Sequence, residues 1–334
     1  MIKLTYLVLQ REKYMNKDKL FDFINSLTNS NCSLGLELII KNSKNAMDYS
    51  FFHASIHNDS QKEILSMLKG TLLRVIEDSN LEEFNPMGKD DLTIEKINIS
   101  HVGGLNEIIN LRKDTNNFIT NFKALRKDIN NFSSSSDDTN NSSDLKAISA
   151  YLIEIKNGND NLKIFRRYSK TKSLSKGILL QMFSEQFSKL DENIFQIDNI
   201  IDFIVVNDSE VIVFNRYPFE LITNYKDNYL KTLDTALDRI SQSNLIHNME
   251  QFIIDCHQST RIAKQFTKAM QKDSINLILK NIDAVPSVIN EADLPIAFID
   301  NQFHYESKEQ LSILVALLSD KFARTLIGKK ITAS

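Results

Sequence analysis

Residues 133–144 limit the folding of this chain more than any other segment, because they include no apolar side chain. The run reads SSSSDDTNNSSD, so burial cannot offset the entropy that ordering it would cost. We therefore predict a Ser/Asn/Asp-rich linker or loop over 131–144. It would separate an N-terminal domain, 1–130, from a second domain, 145–334, and 334 residues suffice for two cores.

Apolar periodicity predicts both strands and helices in each half. In the first half we expect strands at 2–9, 34–40, 49–56 and 92–99, and helices at 17–27, 61–80 and 104–112. In the second half we expect hairpins at 148–155/162–168 and 200–206/211–214, helices at 178–190, 226–282 and 308–318, and a strand at 296–299. The fold class is α+β, with an N-terminal mixed α/β domain and a C-terminal antiparallel β-hairpin sheet with packed helices.

Composition excludes several classes of protein. Forty basic and 43 acidic residues give a net charge of −3, which excludes a histone-like polycation but permits a local basic patch. Two cysteines, Cys32 and Cys256, favour a reduced intracellular location and lack the spacing of a zinc site. No phosphate-loop, dinucleotide, zinc-protease or serine-hydrolase motif occurs. No apolar run approaches the roughly 20 residues of a membrane span, so we expect a cytoplasmic protein that reaches a membrane only through a partner.

The first cationic cluster lies between residues 163 and 176. Its 14 residues hold no acid and six cations: Lys163, Arg166, Arg167, Lys170, Lys172 and Lys176. Ser173 or Ser175 could cap the helix predicted to follow. Cations, hydroxyls and a helix N-terminus together suit phosphate groups, so the segment could bind nucleic-acid backbone, a nucleotide or an anionic partner segment.

A second cationic cluster is predicted on a helix over 258–272. At 100° per residue its four cations fall within an arc of about 80°, opposite an apolar face. The cations are Arg261, Lys264, Lys268 and Lys272, and the apolar face is Ile262, Phe266, Ala269 and Met270. Such a stripe is either a solvated helix face or a surface for DNA or RNA backbone, with strong salt dependence and little base preference.

One pattern resembles an enzyme. Glu154 and Lys156 share a face of a predicted strand, and with Asp144 they resemble the PD-(D/E)xK nucleases. In that family two carboxylates hold a divalent metal such as Mg²⁺ and the lysine positions the attacking water. Alternation along a solvated strand beside a hairpin explains Glu154 and Lys156 equally well. Outside this alternative we expect no cofactor and no metal.

A series of short signatures in residues 145–331 resembles a known family. The signatures are Phe195-Gln196-Ile197-Asp198, Ile201-Asp202-Phe203-Ile204, Val211-Ile212-Val213-Phe214-Asn215, Phe219-Glu220, Leu294-Pro295, Phe303-His304-Tyr305, Leu311 to Asp320, and Thr325-Leu326-Ile327-Gly328-Lys329-Lys330. In their order they are similar to the KwaB-like family of the Kiwa antiphage defence system. Residues 1–130 match that family only in general layout.

The resemblance implies properties that composition does not show. Members would be cytosolic homodimers or higher homo-oligomers that bind DNA and act with KwaA, a membrane protein, against phage. We therefore expect a non-catalytic DNA-binding effector that restricts phage DNA replication or expression. The metal-dependent nuclease and the nucleotide- or anionic-partner-binding module are the alternatives.

Overall fold

The computed structural model describes residues 15–41, 49–113, 148–168, 180–183, 186–189, 195–319, 322–324 and 331–333. The strand expected at 2–9 and the segment 131–144 lie outside the described residues. Within them the protein combines helices with an eight-stranded sheet, which confirms the α+β class.

The main sheet has the strand order β2-β1-β5-β6-β9-β10-β4-β3. All its neighbours are antiparallel except β3 and β4, which are parallel. The strands are β1 (Ser33–Lys41), β2 (Tyr49–Ala54), β3 (Asn80–Glu83), β4 (Thr93–Asn98), β5 (Ile148–Asn157), β6 (Asp160–Arg167), β9 (Phe203–Val206) and β10 (Glu210–Val213).

Tight turns form the two hairpins where the sequence predicts them. Gly158 is the first residue of the β5–β6 loop and has a φ of 59°. Glycine adopts this left-handed conformation readily because it has no Cβ atom to clash with the backbone. The β9–β10 loop contains Asn207 and Asp208, both with a φ of 50°, and these residue types tolerate the left-handed region. Both hairpin predictions are confirmed.

One face of the main sheet packs against two helices, α1 (Lys17–Ser26) and α2 (Asn58–Asp78). Direct cross-strand pairing aligns four isoleucines in a row over β5, β6, β9 and β10: Ile153, Ile164, Ile204 and Ile212. The helices bury against this face Leu20, Ile24, Leu65, Leu68, Leu72 and Ile76. Each such side chain contributes roughly 1.5–3 kcal/mol through burial.

The opposite face is aromatic near its centre. Phe165 on β6 and Phe203 on β9 are cross-strand partners whose rings stack with centroids 4.5 Å apart. Phe219 of α4 (Arg216–Ile222) meets Phe203 edge to face at 5.3 Å and is fully buried. A further helix, α3 (Gly103–Lys113), lies between β4 and β5 in the sequence. The aromatic contacts fix the start of α4 to the sheet.

The contacts divide the chain into two compact units. The first unit comprises 1–84 and 90–225, and the second comprises 85–89 and 226–334. The main sheet takes strands from both sides of 131–144, because β1 pairs with β5 over eight residue positions. The strands on the two sides of this polar segment pair with each other in one sheet.

The second unit is mainly helical, as predicted for 226–282. Its helices are α5 (Tyr225–Gln242, whose first residue belongs to the first unit), α6 (Met249–His257), α7 (Thr260–Gln271), α8 (Ser274–Lys280), α9 (Val285–Glu291) and α10 (Leu311–Leu318). A small sheet, in the order β11-β13-β12, joins β11 (Ile246–His247), β13 (Gln302–His304) and β12 (Ala297–Ile299). A further pair is β14 (Phe322–Arg324) with β15 (Ile331–Ala333).

The helix predicted over 178–190 is wrong. The structure has an antiparallel pair there, β7 (Leu180–Phe183) with β8 (Gln186–Lys189). The apolar runs in this stretch are four residues or shorter, and periodicity alone does not distinguish a short strand from a helical segment.

Candidate nucleic-acid interface

The cations predicted as nucleic-acid contacts fall into two groups in different units. Lys163, Arg166 and Arg167 lie on β6 in the first unit. Arg261, Lys264 and Lys268 lie on α7 and Lys272 caps its C-terminus, all in the second unit. Lys170, Lys172 and Lys176 lie outside the described residues, as does Asp144 of the nuclease alternative.

Lys163 is an internal cation. Its side chain is 2% exposed, and its ammonium group forms an ion pair with Asp208 and lies 3.5 Å from a carboxylate oxygen of Glu154. It also donates to Asn161 Oδ1 at 3.1 Å. Burying an ammonium group is costly unless it is paired and hydrogen-bonded, and here both conditions hold. The Lys163 charge therefore stabilises the fold by pairing with buried and loop carboxylates.

Arg166 is also engaged internally, by two aspartates. Its Nε and Nη2 donate to the two carboxylate oxygens of Asp198 at 3.1 and 3.2 Å. Its Nη1 donates to both carboxylate oxygens of Asp202 at 3.0 and 3.2 Å. The Arg166 side chain is 12% exposed and that of Asp202 is fully buried. Arg166 therefore neutralises two acids that lie within the resemblance signatures.

Asp202 connects several chain segments. Its Oδ2 accepts the backbone N–H of Arg167 at 2.6 Å, and its Oδ1 accepts Nδ2 of Asn215 at 3.1 Å. Burial raises the pKa of the Asp202 carboxyl, and the hydrogen bonds from Arg167, Arg166 and Asn215 oppose that shift. These hydrogen bonds join the end of β6 to Asn215, the residue just before α4.

Arg167 differs from its neighbour because it faces solvent. Its guanidinium carbon lies 5.3 Å from the centroid of the Tyr217 ring. Within the described residues, no carboxylate forms an ion pair with Arg167. The sequence predicts aromatic core anchors at Tyr217 and Phe219. Phe219 is buried, whereas Tyr217 is 65% exposed.

The stripe on α7 has the predicted two faces. Ile262, Phe266 and Ala269 are buried, while Arg261 and Lys272 are exposed and Lys268 is half-buried. Lys264 lies with its ammonium group 4.9 Å from the Tyr229 ring centroid. Arg261, Lys268 and Lys272 have no salt-bridge partner in the part of the chain that the structure describes. We call these three residues the α7 cationic stripe.

The residues of the nuclease alternative do not assemble a metal site in the described part of the chain. Glu154 and Lys156 do share a face, and their charged groups lie 3.4 Å apart. No group of three or more His, Cys, Asp or Glu side chains among the described residues is placed to hold a metal ion.

An apolar cavity of about 340 Å³ lies in the second unit. It is lined by Leu277, Ile278, Asn281, Ala284, Val285, Val288, Phe303 and Leu317. Asn281 Nδ2 donates to the Leu277 carbonyl oxygen at 2.7 Å. A lining without charged residues does not suit a phosphate group.

These features define an α+β protein with a mixed eight-stranded sheet, a helical second unit and an exposed cationic helix face. Residues 145–328 match the family described as "Kiwa protein KwaB-like", which is more than half of the chain. The chain therefore belongs to the KwaB-like family, whose members are components of Kiwa antiphage defence. Searches of curated proteins and of solved structures each returned no significant match. No helix within the described residues has the length and apolar character needed to cross a bilayer.

Proposed function

We propose that this protein is the DNA-binding effector of a Kiwa defence complex and contacts the nucleic-acid backbone through its cationic surfaces. The observation that carries the proposal is the α7 cationic stripe, whose three charges have no carboxylate partner among the described residues. Family membership supports a role in defence, and the stripe supplies a surface with the chemistry to bind phosphate.

The stripe suits a backbone because of its spacing. Arg261, Lys268 and Lys272 recur on one side of α7, with 1.5 Å of rise per residue, so the first and last lie roughly 16 Å apart along the axis. Duplex DNA carries one charge per about 1.7 Å of its axis, so several phosphates lie within that length. Each neutralised phosphate releases counterions, and three contacts predict a slope of about −3 for log K against log salt. Binding would show little base preference, because phosphates carry no sequence information.

The test is a fluorescence-anisotropy titration of the full chain with a labelled duplex at several salt concentrations. The triple variant Arg261→Gln, Lys268→Gln, Lys272→Gln should bind more weakly and lose about three units of the salt slope. A matched control removes three exposed lysines of the same unit that lie off the stripe: Lys226→Gln, Lys231→Gln, Lys280→Gln. Thermal melts establish that both variants are folded.

The control separates a directed surface from bulk charge, because both variants change the net charge equally. A wild-type chain that does not bind duplex DNA at low salt would contradict the proposal. Equal weakening in the stripe variant and the control would contradict the role of the stripe.

The effector acts, in this proposal, as a homo-oligomer recruited to the cell membrane through KwaA, while it remains cytoplasmic itself. Bound DNA would be withheld from replication or expression. Co-purification with tagged KwaA and light scattering of the purified chain test the assembly. Phage DNA measured during infection should accumulate less with the wild-type chain than with the stripe variant.

A further inference from the structure

An exposed arginine–tyrosine pair lies at the end of β6 in the first unit. Tyr217 is 65% exposed although the Arg167 guanidinium lies over its ring at 5.3 Å. Both side chains are planar, and one carries a positive charge that no carboxylate of the described residues neutralises. The exposed Tyr217 ring and the Arg167 guanidinium together offer planar surfaces on which a flat ligand can stack.

Hydrogen bonds to one buried residue hold the backbone at Arg167 and the backbone just before Tyr217. The fully buried Asp202 carboxylate accepts the Arg167 backbone N–H at 2.6 Å. The Asp202 carbonyl accepts the backbone N–H groups of Phe214 and Asn215, each at 2.9 Å, just before α4 begins. One aspartate therefore holds the strand that presents Arg167 and the turn that leads to Tyr217. Backbone that is already held in place does not have to be ordered when a ligand binds.

We propose that Arg167 and Tyr217 form a stacking platform for an unpaired nucleobase, with Arg167 also contacting the adjoining phosphate. The inference rests on the proposed DNA binding and specifies the form of DNA preferred: single-stranded segments or frayed ends over continuous duplex. Bases inside a duplex have both faces covered by their neighbours, so only an unpaired base can stack on the platform. Aromatic stacking is tolerant of sequence because every base has a π-face.

The test compares three DNA ligands with the full chain by anisotropy. The first is a duplex closed at both ends by hairpin linkers, the second carries a single-stranded overhang, and the third has the same overhang with abasic sites. The third retains the overhang phosphates and removes the bases. Wild-type chain should bind the overhang ligand about 5- to 150-fold more tightly than the abasic ligand.

Three variants assign that preference to the platform. Tyr217→Ala should lose the preference for the overhang while its affinity for the closed duplex stays within about twofold. Tyr217→Phe keeps the ring and should keep the preference. Arg167→Lys keeps the charge but not the planar group, and it should lose part of the preference.

The outcomes separate this inference from the proposed function. If the closed duplex binds with the salt dependence expected of the stripe, but Tyr217→Ala does not change the overhang preference, the platform is refuted and DNA binding stands. The same holds if wild-type chain does not distinguish the base-containing from the abasic overhang, and the pair would then suit a protein partner better. If no DNA form binds at low salt, both proposals fail.

Discussion

The ammonium group of Lys163 and the carboxylate of Glu154 lie 3.5 Å apart across the β5–β6 pair, where the two residues are direct cross-strand partners. Lys163 also pairs with Asp208 in the β9–β10 loop. One buried cation thus links β5 and β6 to the loop between β9 and β10. Its place within a run of six cations suggests ligand binding from the sequence, whereas its burial assigns it to the fold.

Replacing Lys163 should therefore destabilise the protein. Lys163→Ala leaves the largely buried carboxylate of Glu154 without its closest buried cation, and breaking such a pair costs about 3–5 kcal/mol. Urea unfolding measures the loss. Lys156→Ala is the matched control, because Lys156 lies 3.4 Å from the same carboxylate but is 60% exposed, and exposed pairs contribute less than about 1 kcal/mol. Equal losses in the two variants would show that burial does not distinguish these lysines.

The imidazole of His257 should make folding depend on pH. Its Nδ1 lies 2.8 Å from the Ile253 carbonyl oxygen and its Nε2 lies 2.8 Å from Asp234. Both nitrogens can donate only in the protonated ring, and these two hydrogen bonds raise the pKa of His257.

The sign follows from the raised pKa. The stabilisation is fully present below the unfolded pKa of about 6.5 and is lost as the pH rises through the higher folded value. Solvent screens this half-exposed pair, so we expect less than about 1 kcal/mol. NMR titration of the ring should show a lower His257 pKa in Asp234→Asn. His101→Gln, which removes an exposed histidine elsewhere, should leave the His257 titration unchanged.

The two thiols should react at very different rates. Cys256 is completely buried on α6, and burial together with the nearby Asp255 carboxylate raises its pKa to about 12. Cys32 is only half-buried. Because the thiolate is the reactive form, native protein should react with one equivalent of a thiol reagent quickly and with the second only on unfolding. In Cys32→Ser the fast equivalent should disappear, and a fast phase that persists there would contradict the assignment.

Local signals in the sequence predict local structure well. Asn157-Gly158 and the turn at Asn207 predict their hairpins because a tight turn needs only residues with suitable φ angles. The pairing of β1 with β5 is not predictable this way, because its partners are more than 100 positions apart and a polar segment lies between them. β3 is missed as well, since the short run Asn80–Glu83 alternates weakly and has no turn signal that requires a strand.

The candidate interface likewise has features that the sequence predicts and features that it does not. A rotation of 100° per residue predicts the two faces of α7, because a helix carries its own periodicity. The partners of Arg166 are not predictable, since Asp198 and Asp202 lie 32 and 36 positions away. The exposure of Tyr217 could be predicted from the sequence. Pro218 favours the start of a helix there, and residues two positions apart on a helix point about 200° apart. Tyr217 therefore faces away from the buried Phe219.

Incubation with plasmid DNA and Mg²⁺ or Mn²⁺ should leave the DNA intact and retarded on a gel. The nuclease alternative needs the Glu154 carboxylate as a metal ligand, but Lys163 and Lys156 lie 3.5 and 3.4 Å from its two oxygens. A divalent cation at the Glu154 carboxylate would lie next to both ammonium groups, and these two positive charges would repel it. Glu154→Gln should therefore lower stability without changing retardation. Cleavage by the wild-type chain that Glu154→Gln or Asp144→Asn abolishes would establish the nuclease instead.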